Sequence, residues 1–495
     1  MATIKLTGRA LTAGTLKQIC DGAPVSLDAV ALARMAGTRR VIEEAVAQGK
    51  PVYGVTTGLG PKVVHALPAE ELDAFALRAV RGRAHAAGDD FDEKLCRAIL
   101  AVRLNTLLIG AAGVRPALAE LMAACLNAGL APAIRETGSI GPADLMQGGD
   151  FGLAMIGEGR MWADGQIVPS AEALAAAPLE AWVPGPREGL ALVSHSSISA
   201  ALGAVALQRA ENALAAAQSS AALSMEGFRA NLSVLDQDLL ALRPQPGQGE
   251  AASRLRGYLK GTKLFEPGEA RRLQDPLSFR NLPQVHGAVF AALEQLRIAV
   301  DAEINGASDN PGVLPERGEV ASHGGYLTTH LAITLGAVAQ ALTHMAAAQV
   351  ARIGKLWTGR YSDLPVGLTN IGIVGAGFGP VFKTAESLFA EIAHDAAPAP
   401  IYPGFSADGL EDVVSHTVIA GKSVLRIADR LADLTAIELL AAAQAVELRG
   451  IKDEIGKPMR TLWDKVRGVS PVLEDDRPLG DEIHQLAKLV RDGRI

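Results

Sequence analysis

Two long stretches without a charged side chain constrain the fold more than any other feature of this 495-residue sequence. They cover residues 189–208 and 328–351, and neither contains Asp, Glu, Lys or Arg. A helix that is uncharged on every side needs to be surrounded by protein or by lipid. Both stretches contain His, and between them several Ser, Thr and Gln, which a lipid-facing span would carry at a cost. We therefore predict two central helices of a large bundle and no membrane span.

Helical spacing of apolar residues recurs along the rest of the chain. It predicts helices over 26–46, 72–87, 199–225, 284–304 and 328–357, two helices within 94–127 broken near Gly110 and Gly113, and one or two over 410–449. A composition rich in Ala and Leu, with 4% aromatic residues, also favours helix. Residues 167–168 are strand-like. The sequence thus predicts a mainly all-α fold, with a loop-bearing helical part over 1–185 and a central helical bundle with C-terminal helices over 186–495.

Charge and cysteine content exclude several classes of protein. The net charge is −7, from 47 basic and 54 acidic residues, and there is no basic block, so nucleic acid is not an expected partner. Cys20, Cys96 and Cys125 are odd in number and far apart, which argues against a disulfide framework or a cysteine metal site. Residues 1–20 lack the pattern of a signal peptide, and we expect a cytoplasmic protein.

Five segments carry the chemistry-bearing residues. They are the turn-rich stretch 137–147 (TGSIGPADLMQ), then 53–60 (YGVTTGLG), 187–192 (REGLAL), 274–287 (QDPLSFRNLPQVHG) and 410–412 (LED) followed by Ser415. In order and spacing they resemble the histidine and aromatic amino acid ammonia-lyase superfamily, and the resemblance runs over residues 4–479. It implies a small-molecule substrate and a homotetramer whose active sites are assembled from several subunits.

The chain departs from that family at its central loop. Family members carry Ala-Ser-Gly there, which cyclises into the electrophile methylidene-imidazolone after the Ser loses water and the Gly nitrogen attacks. Here Gly141 is followed by Pro142, Ala143 and Asp144, and no Ser-Gly dipeptide occurs in the sequence. We therefore expect no methylidene-imidazolone group, and we predict neither another cofactor nor a metal.

Three predicted site residues follow from their positions in the family motifs. Tyr53 matches a catalytic tyrosine on a mobile loop, and it could act as an acid, or as a base if a neighbouring cation lowers its pKa. Arg280 matches an arginine that holds the substrate carboxylate with two parallel hydrogen bonds. Glu411 matches an active-site glutamate that stabilises an amine or accepts a proton. A packed tyrosine, a structural ion pair and a helix-end carboxylate are the alternatives.

Further candidates come from the same segments. His85 matches the position at which histidine-specific members contact an imidazole, and Lys383 is a cation where the family has an apolar residue. Leu277 replaces a second catalytic tyrosine, and Lys383 could compensate as a partly buried acid or base. Ser194, with His195, replaces a family Asn-Gly. The remaining predicted substrate contacts are Gln274, Asn310 and Lys62. A structural histidine, a solvated lysine and a simple Asp-Asn-Pro turn at 309–311 are the alternatives.

These departures point to an easier substrate than an α-amino acid. An amine is a poor leaving group, whereas a quaternary trimethylammonium departs as neutral trimethylamine without prior protonation. One branch of the superfamily works in this way without the prosthetic group, and the resemblance implies elimination of trimethylamine from an imidazole-type betaine such as ergothioneine, giving thiolurocanate. The alternatives are a lyase or aminomutase acting on another betaine or amino acid, such as hercynine or histidine, and an inactive homologue that only binds such a ligand.

Overall fold

The computed structural model describes residues 2–399 and 404–495, and long helices dominate it, which confirms the mainly all-α prediction. The α-helices of the described residues are α1 Ala13–Cys20, α2 Ala29–Ala47, α3 Leu72–Arg81, α4 Glu93–Leu107, α5 Pro116–Asn127, α6 Leu145–Met155, α7 Ser170–Ala176, α8 Glu188–Val193, α9 Ser197–Phe228, α10 Gln237–Ala241, α11 Gln248–Tyr258, α12 Leu277–Arg280, α13 Leu282–Ile304, α14 Thr329–Trp357, α15 Gly359–Ser362, α16 Gly379–Asp395, α17 Thr417–Arg449, α18 Lys457–Val469 and α19 Gly480–Arg491.

The strands of the described residues are short and form four small sheets. They are β1 Ile4–Leu6, β2 Val25–Leu27, β3 Ala87–Asp90, β4 Ala131–Pro132, β5 Arg135–Thr137, β6 Arg160–Ala163, β7 Gln166–Pro169, β8 Gly312–Leu314 and β9 Glu319–Ala321. Strands β1 and β2 pair in parallel, with Ile4 opposite Val25. The pairs β3–β5 and β8–β9 and the sheet β4–β6–β7 are antiparallel. The strand-like residues Ile167 and Val168 lie in β7, as predicted.

Side-chain caps set where several helices begin. Thr12 forms a reciprocal capping box with Thr15 at the start of α1, and Asp28 and Asp92 accept hydrogen bonds from backbone N–H groups in the first turns of α2 and α4. The first N–H groups of a helix have no partner within the helix, so a side-chain acceptor stabilises this boundary by about 1 kcal/mol.

Two compact units, each built from segments far apart in sequence, make up the chain. Residues 1–206, 297–335 and 399–422 form the first unit, and residues 207–296, 336–398 and 423–495 form the second. The sequence predicts a single boundary near residue 185, with one part before it and one after it. The two compact units do not test this boundary, and it stays a prediction.

Close backbone contacts hold α8 in the first unit. A Cβ added to Gly189 on α8 would lie 1.9 Å from the carbonyl oxygen of Ala76 on α3. A Cβ added to Gly148 on α6 would lie 2.1 Å from the carbonyl oxygen of Val193 on α8. Glycine is therefore required at both positions, because any side chain would push the helices apart. This packing fixes the end of α8, from which Ser194 follows.

A buried ion pair lies in the core of the second unit. Arg352 on α14 donates to both carboxylate oxygens of Glu438 on α17, and both side chains are fully buried. Ser220 and Ser224 on α9 donate to the same two oxygens, at 2.7 and 2.9 Å. Buried charges need such complete hydrogen bonding, because an unpaired one costs several kcal/mol. These contacts join α9, α14 and α17 within the second unit.

Two predicted helix boundaries differ from the observed ones by more than five residues. The helix predicted over 72–87 ends at Arg81, and residues 87–90 instead form β3, which pairs with β5. The helical region predicted from residue 410 starts at Thr417, because residues 407–409 form a short 3-10 turn and Ser406 pairs with Glu411 in a bridge. Spacing of apolar residues did not reveal either pairing, since both depend on contacts distant in sequence or on turn geometry.

Segments Glu188–Phe228 and Thr329–Trp357 are long and apolar enough to cross a membrane by length and composition. A buried core helix passes the same test. In the first segment 94% of the apolar window is buried within the protein, and in the second 44% is buried.

Candidate active site

A cavity in the first unit brings together four of the predicted site residues. It encloses about 780 Å³ of space, including the part open to solvent. Its polar lining consists of Tyr53, Arg83, Ser194, Asn310, Tyr326 and Glu411. Tyr53, Ser194, Asn310 and Glu411 were predicted from their motifs, whereas Arg83 and Tyr326 were not. The Pro142, Ala143 and Leu145 side chains contribute apolar surface.

The Tyr53 loop is held by its own backbone. The carbonyl oxygen of Val52 accepts hydrogen bonds from the N–H groups of residues 55, 56 and 57, and the Tyr53 hydroxyl accepts one from the N–H of Gly60 at 3.1 Å. Gly54 has a φ of +63°, and a Cβ there would lie 2.6 Å from Leu59 and from Leu190. The glycine allows the tight turn that places the phenol at the cavity.

Glu411 follows a turn and lies half-buried at the cavity. Its N–H donates to the carbonyl oxygen of Ser406 at 3.1 Å, which fixes the backbone at this point. Burial raises the pKa of the Glu411 carboxyl above its ordinary value, and the Arg83 guanidinium acts in the opposite direction. A carboxylate with a raised pKa in a cleft is suited to accepting a proton or facing a cation.

Arg83 is the cationic group of this lining. Its Nη1 donates to the carbonyl oxygen of Ala79 at 3.3 Å. Burial lowers the pKa of the Arg83 guanidinium, while Tyr53 and Glu411 favour its charged form. The sequence does not reveal this role, because an arginine near the end of a predicted helix resembles a solvated residue. Its only signal was its position two residues before His85.

The loop at residues 138–144 is fixed from several sides. The carbonyl oxygen of Ile140 accepts from the N–H groups of Ser415 and His416, both at 3.2 Å. The N–H of Ala143 donates to the carbonyl oxygen of Tyr326 at 3.2 Å, and its carbonyl oxygen accepts from the N–H of His195 at 3.1 Å. The loop is thus a rigid part of the cavity wall.

Asp144 anchors the end of this loop. Its fully buried carboxylate accepts from the Ser139 hydroxyl at 2.5 Å, and from the Ser199 N–H and hydroxyl, both at 2.8 Å. Burial raises the pKa of the Asp144 carboxyl to about 6, although these hydrogen bonds favour its ionised form. Ser139, the serine of this loop, is therefore engaged in holding Asp144.

The loop does not fit the family's methylidene-imidazolone group. Pro142 contributes a tertiary nitrogen and Ala143 has no hydroxyl to lose as water. Both residues lie in the segment that lines the cavity, and Ala143 has a φ of +54°. Ser139 is followed by Ile140, and its hydroxyl donates to Asp144. The residues needed for cyclisation are absent from the sequence here, so the reaction of this chain requires another source of activation.

Ser194 and His195 occupy the turn between α8 and α9. Ser194 lines the cavity, and its N–H donates to the carbonyl oxygen of Leu190 at 2.8 Å. The His195 ring is fully buried and packs edge-on against Phe151, with centroids 5.1 Å apart. Burial lowers the pKa of His195 well below its ordinary value, which favours the neutral ring. We infer that His195 supports the loop rather than carrying charge.

Asn310 lies in a turn held by buried arginines. Arg103 donates from two nitrogens to the carboxylate of Asp309, at 2.8 and 2.9 Å. Arg187 donates to the carbonyl oxygens of Asn310 and Pro311, at 3.2 and 2.9 Å. The Asn310 side-chain oxygen accepts from the N–H of His323 at 2.9 Å. The arginine contacts hold the turn, and only the His323 contact involves the Asn310 side chain, so a turn role remains the alternative to substrate binding.

Five predicted site residues lie outside the lining of this cavity. In the first unit, His85 and Lys62 are exposed. In the second unit, Arg280 ends α12 and is half-buried, while Gln274 and Lys383 are exposed. Their assignment to the site therefore stays a prediction. Among the described residues, no group of three or more His, Cys, Asp or Glu could hold a metal ion.

Comparison with known proteins identifies the class to which this fold and site belong. The model of the aromatic amino acid lyase family matches residues 11–468. The chain belongs to this family and is a carbon–nitrogen lyase, which confirms the resemblance found in the sequence.

Three relatives illustrate its position within the family. The crystal structure of ergothionase, an ergothioneine-degrading enzyme from Treponema denticola, in complex with desmethyl-ergothioneine sulfonic acid, is similar with a TM-score of 0.95 and 28% identity, covering 99% of both chains. Histidine ammonia-lyase from Trypanosoma cruzi has a TM-score of 0.91 and 30% identity, covering 99% of this chain and 94% of the other. A histidine ammonia-lyase from Treponema denticola is 32% identical over 490 residues, 98% of this chain and 96% of the relative.

Proposed function

We propose that this lyase eliminates trimethylamine from an imidazole-type betaine such as ergothioneine, giving thiolurocanate, without a methylidene-imidazolone group. The observation that carries the proposal is the loop at residues 139–144, where Pro142 and Ala143 stand in place of a cyclising triad and Ser139 is bonded to Asp144. The similarity to ergothionase over 99% of both chains supports it.

The chemistry of the substrate explains how a lyase can work with this loop. An α-amino group leaves poorly, so ammonia elimination needs strong activation of the amine or of the β-hydrogen. A trimethylammonium group leaves as a neutral amine and needs no proton. The remaining task is removal of the β-hydrogen, which a correctly placed base and a polarised ring accomplish.

We assign this task to the predicted catalytic residues. Tyr53, Lys383 and Glu411 share proton transfer and ring activation. A base near the β-carbon and a cation near the ring act together, because the ring accepts negative charge as the proton leaves. The raised pKa of Glu411 supports its role in proton transfer, since a carboxyl with a pKa closer to neutrality is the better base at neutral pH.

The other predicted residues are proposed to bind the substrate. Arg280 holds the carboxylate and His85 lies by the ring. Ser194, Gln274, Asn310 and Lys62 contact the substrate, and Ser194 and Asn310 already line the cavity with Tyr53 and Glu411.

Two other functions remain alternatives. Several relatives are named histidine ammonia-lyase, including the one that is 32% identical over 490 residues. Their name favours the first alternative, in which the substrate is an amino acid such as histidine or a betaine without sulfur such as hercynine. An inactive homologue that binds a histidine-like ligand would keep the same cavity but carry out no elimination.

A panel of four substrates separates these functions. Ergothioneine and hercynine carry trimethylammonium with and without sulfur, and 2-thiohistidine and histidine carry a primary amine with and without sulfur. Trimethylamine and ammonia are measured for each. The proposal predicts trimethylamine from ergothioneine and no ammonia from either amino acid. Ammonia from histidine would support the first alternative, and binding of all four without any product would support the second.

We further propose a cytoplasmic homotetramer with shared active sites. Each unit of the isolated chain exposes large apolar side chains, which a partner subunit would bury. Phe405 and Leu410 are 84% and 61% exposed in the first unit, and Ile373 and Val374 are 104% and 84% exposed in the second. Light scattering coupled to size-exclusion chromatography is expected to give the mass of four chains, and the mass of one chain would refute the assembly.

A further inference from the structure

A cation and an anion that form no ion pair with any described residue line the same cavity. Arg83 and Glu411 both border the 780 Å³ space and the adjoining part of about 860 Å³. Within the described part of the chain, the Arg83 guanidinium donates to the carbonyl oxygen of Ala79 and forms no ion pair with a carboxylate. The Glu411 carboxylate likewise accepts no hydrogen bond from any described residue, although its electrostatic interaction with Arg83 affects the pKa of both groups.

Partly buried charges of opposite sign usually pair with each other, because burial penalises each of them alone. Here the two groups influence each other across the cavity without forming a contact. A ligand that carries both charges could neutralise both groups at once. The geometry therefore suits a zwitterion better than a ligand with a single charge.

We propose that Arg83 is a specificity-determining residue, which binds an anionic group of the zwitterionic substrate while Glu411 faces its trimethylammonium group. This inference rests on the proposed function for the identity of the cation. A quaternary ammonium has no N–H to donate, so a carboxylate recognises it by charge alone. A guanidinium offers a planar set of N–H donors, which suits a carboxylate or an ionised sulfur.

Two groups of the proposed substrate could be the anion that Arg83 binds. One is the sulfur on the ring, and the other is the carboxylate, which Arg83 would then share with Arg280. Three ligands distinguish them: ergothioneine carries both, hercynine lacks the sulfur, and the methyl ester of ergothioneine lacks the charged carboxylate. If replacement of Arg83 weakens binding of ergothioneine and its ester but not of hercynine, the anion is the sulfur. If the replacement weakens binding of ergothioneine and hercynine but not of the ester, the anion is the carboxylate.

The test compares the wild-type protein with Arg83→Met, Arg83→Lys and Arg81→Met. Arg81 lies two residues away, and its side chain pairs with Glu158 at the surface, so its replacement removes a nearby positive charge without touching the cavity lining. Affinity for hercynine and the ester is measured as an inhibition constant against ergothioneine turnover, and affinity for ergothioneine as its KM. Where no turnover occurs, calorimetry measures all three. Thermal unfolding of each variant shows whether it is folded.

Arg83→Met is expected to weaken binding of the ligands that carry the recognised anion by about 10- to 100-fold, the range of a charge-assisted hydrogen bond. Arg83→Lys should restore part of this affinity, and Arg81→Met should change it less than about 2-fold, as for an exposed pair. Equal affinities of wild type and Arg83→Met for all three ligands would overturn the inference. If the wild type binds these ligands but releases no trimethylamine, the proposed function fails while a charge-dependent effect of Arg83 would still stand.

Discussion

Replacing Gly141 by alanine should damage the loop that stands in place of the family's electrophile. Gly141 has a φ of +119°, and a Cβ there would lie 2.2 Å from the Ser415 hydroxyl oxygen and 2.7 Å from the Ser415 nitrogen. The hydroxyl could rotate away, but the backbone nitrogen cannot. The segment at 415–416 would therefore move, and the hydrogen bonds from Ser415 and His416 to Ile140 would weaken.

The magnitude follows from two contributions. An alanine at positive φ costs about 1–3 kcal/mol in backbone strain. Two weakened hydrogen bonds add about 1–3 kcal/mol, at roughly 0.5–1.5 kcal/mol each. Gly22 is a matched control, because its φ is +97° and an added Cβ would meet nothing within 4 Å. Gly22→Ala should therefore show the strain without the lost contacts.

Urea unfolding at equal protein concentration measures the free energy of unfolding of both variants, and trimethylamine release measures their activity. We expect Gly141→Ala to be less stable than Gly22→Ala by about 1–3 kcal/mol, from the lost contacts alone. We also expect its kcat/KM to fall at least about 10-fold, because displacement of a positioning element by less than an ångström is enough for such a loss. Equal stability and equal activity of the two variants would refute the account of a fixed loop.

Three further predictions concern buried charge and catalysis. Burial raises the pKa of Glu226 from 4.5 to about 7, so this group alone should lower the free energy of unfolding by about 3 kcal/mol between pH 4.5 and 7, because the unfolded chain releases the proton first. In urea titrations Glu226→Gln should remove this part of the fall, and parallel curves of variant and wild type would contradict it. Asp309→Asn leaves Arg103 and Arg187 without their buried carboxylate and should lower the free energy of unfolding in urea by about 3–5 kcal/mol. The control Asp21→Asn, at a partly exposed ion pair, should lower it by less than about 1 kcal/mol. Similar losses in the two variants would exclude this role for Asp309. Lys383→Met should lower trimethylamine release by at least about 100-fold with an unchanged oligomer by light scattering, and near-normal turnover would remove Lys383 from the mechanism.

Much of the helical fold could be predicted from the sequence, because apolar spacing is a local signal. The two helices within 94–127 and their break appear as α4 and α5. The predicted helix over 72–87 failed because Gly82 ends α3 and the next residues pair with β5, which lies about 50 residues further along the chain. Pairing between strands that are distant in sequence does not appear in the spacing of apolar residues.

The candidate site was predictable only where residue type and motif agree. Tyr53, Ser194, Asn310 and Glu411, chosen from their motifs, line one cavity, and their roles stay predictions. The absence of a cyclising triad could also be predicted from the sequence, because cyclisation depends on which residues stand in the loop. Arg83 could not be predicted, since its role depends on burial and on the distant Glu411.

The contacts that hold the loop at residues 138–144 could likewise not be predicted from the sequence. They join residues 140 and 415, and residues 144 and 199, which are far apart along the chain. One sequence carries no record of such pairings. They became visible only when the backbone brought the carbonyl oxygen of Ile140 to the start of α17 and the Asp144 carboxylate to the first turn of α9.

A spectroscopic assay decides whether this protein releases trimethylamine. Purified protein is mixed with ergothioneine, the near-ultraviolet spectrum is followed for a conjugated imidazole acrylate, and trimethylamine is assayed in the same samples. The account predicts that both products appear together in a ratio of one to one. A conjugated product without trimethylamine, or neither product although ergothioneine binds, would contradict the claim that this family member is a trimethylamine-releasing lyase.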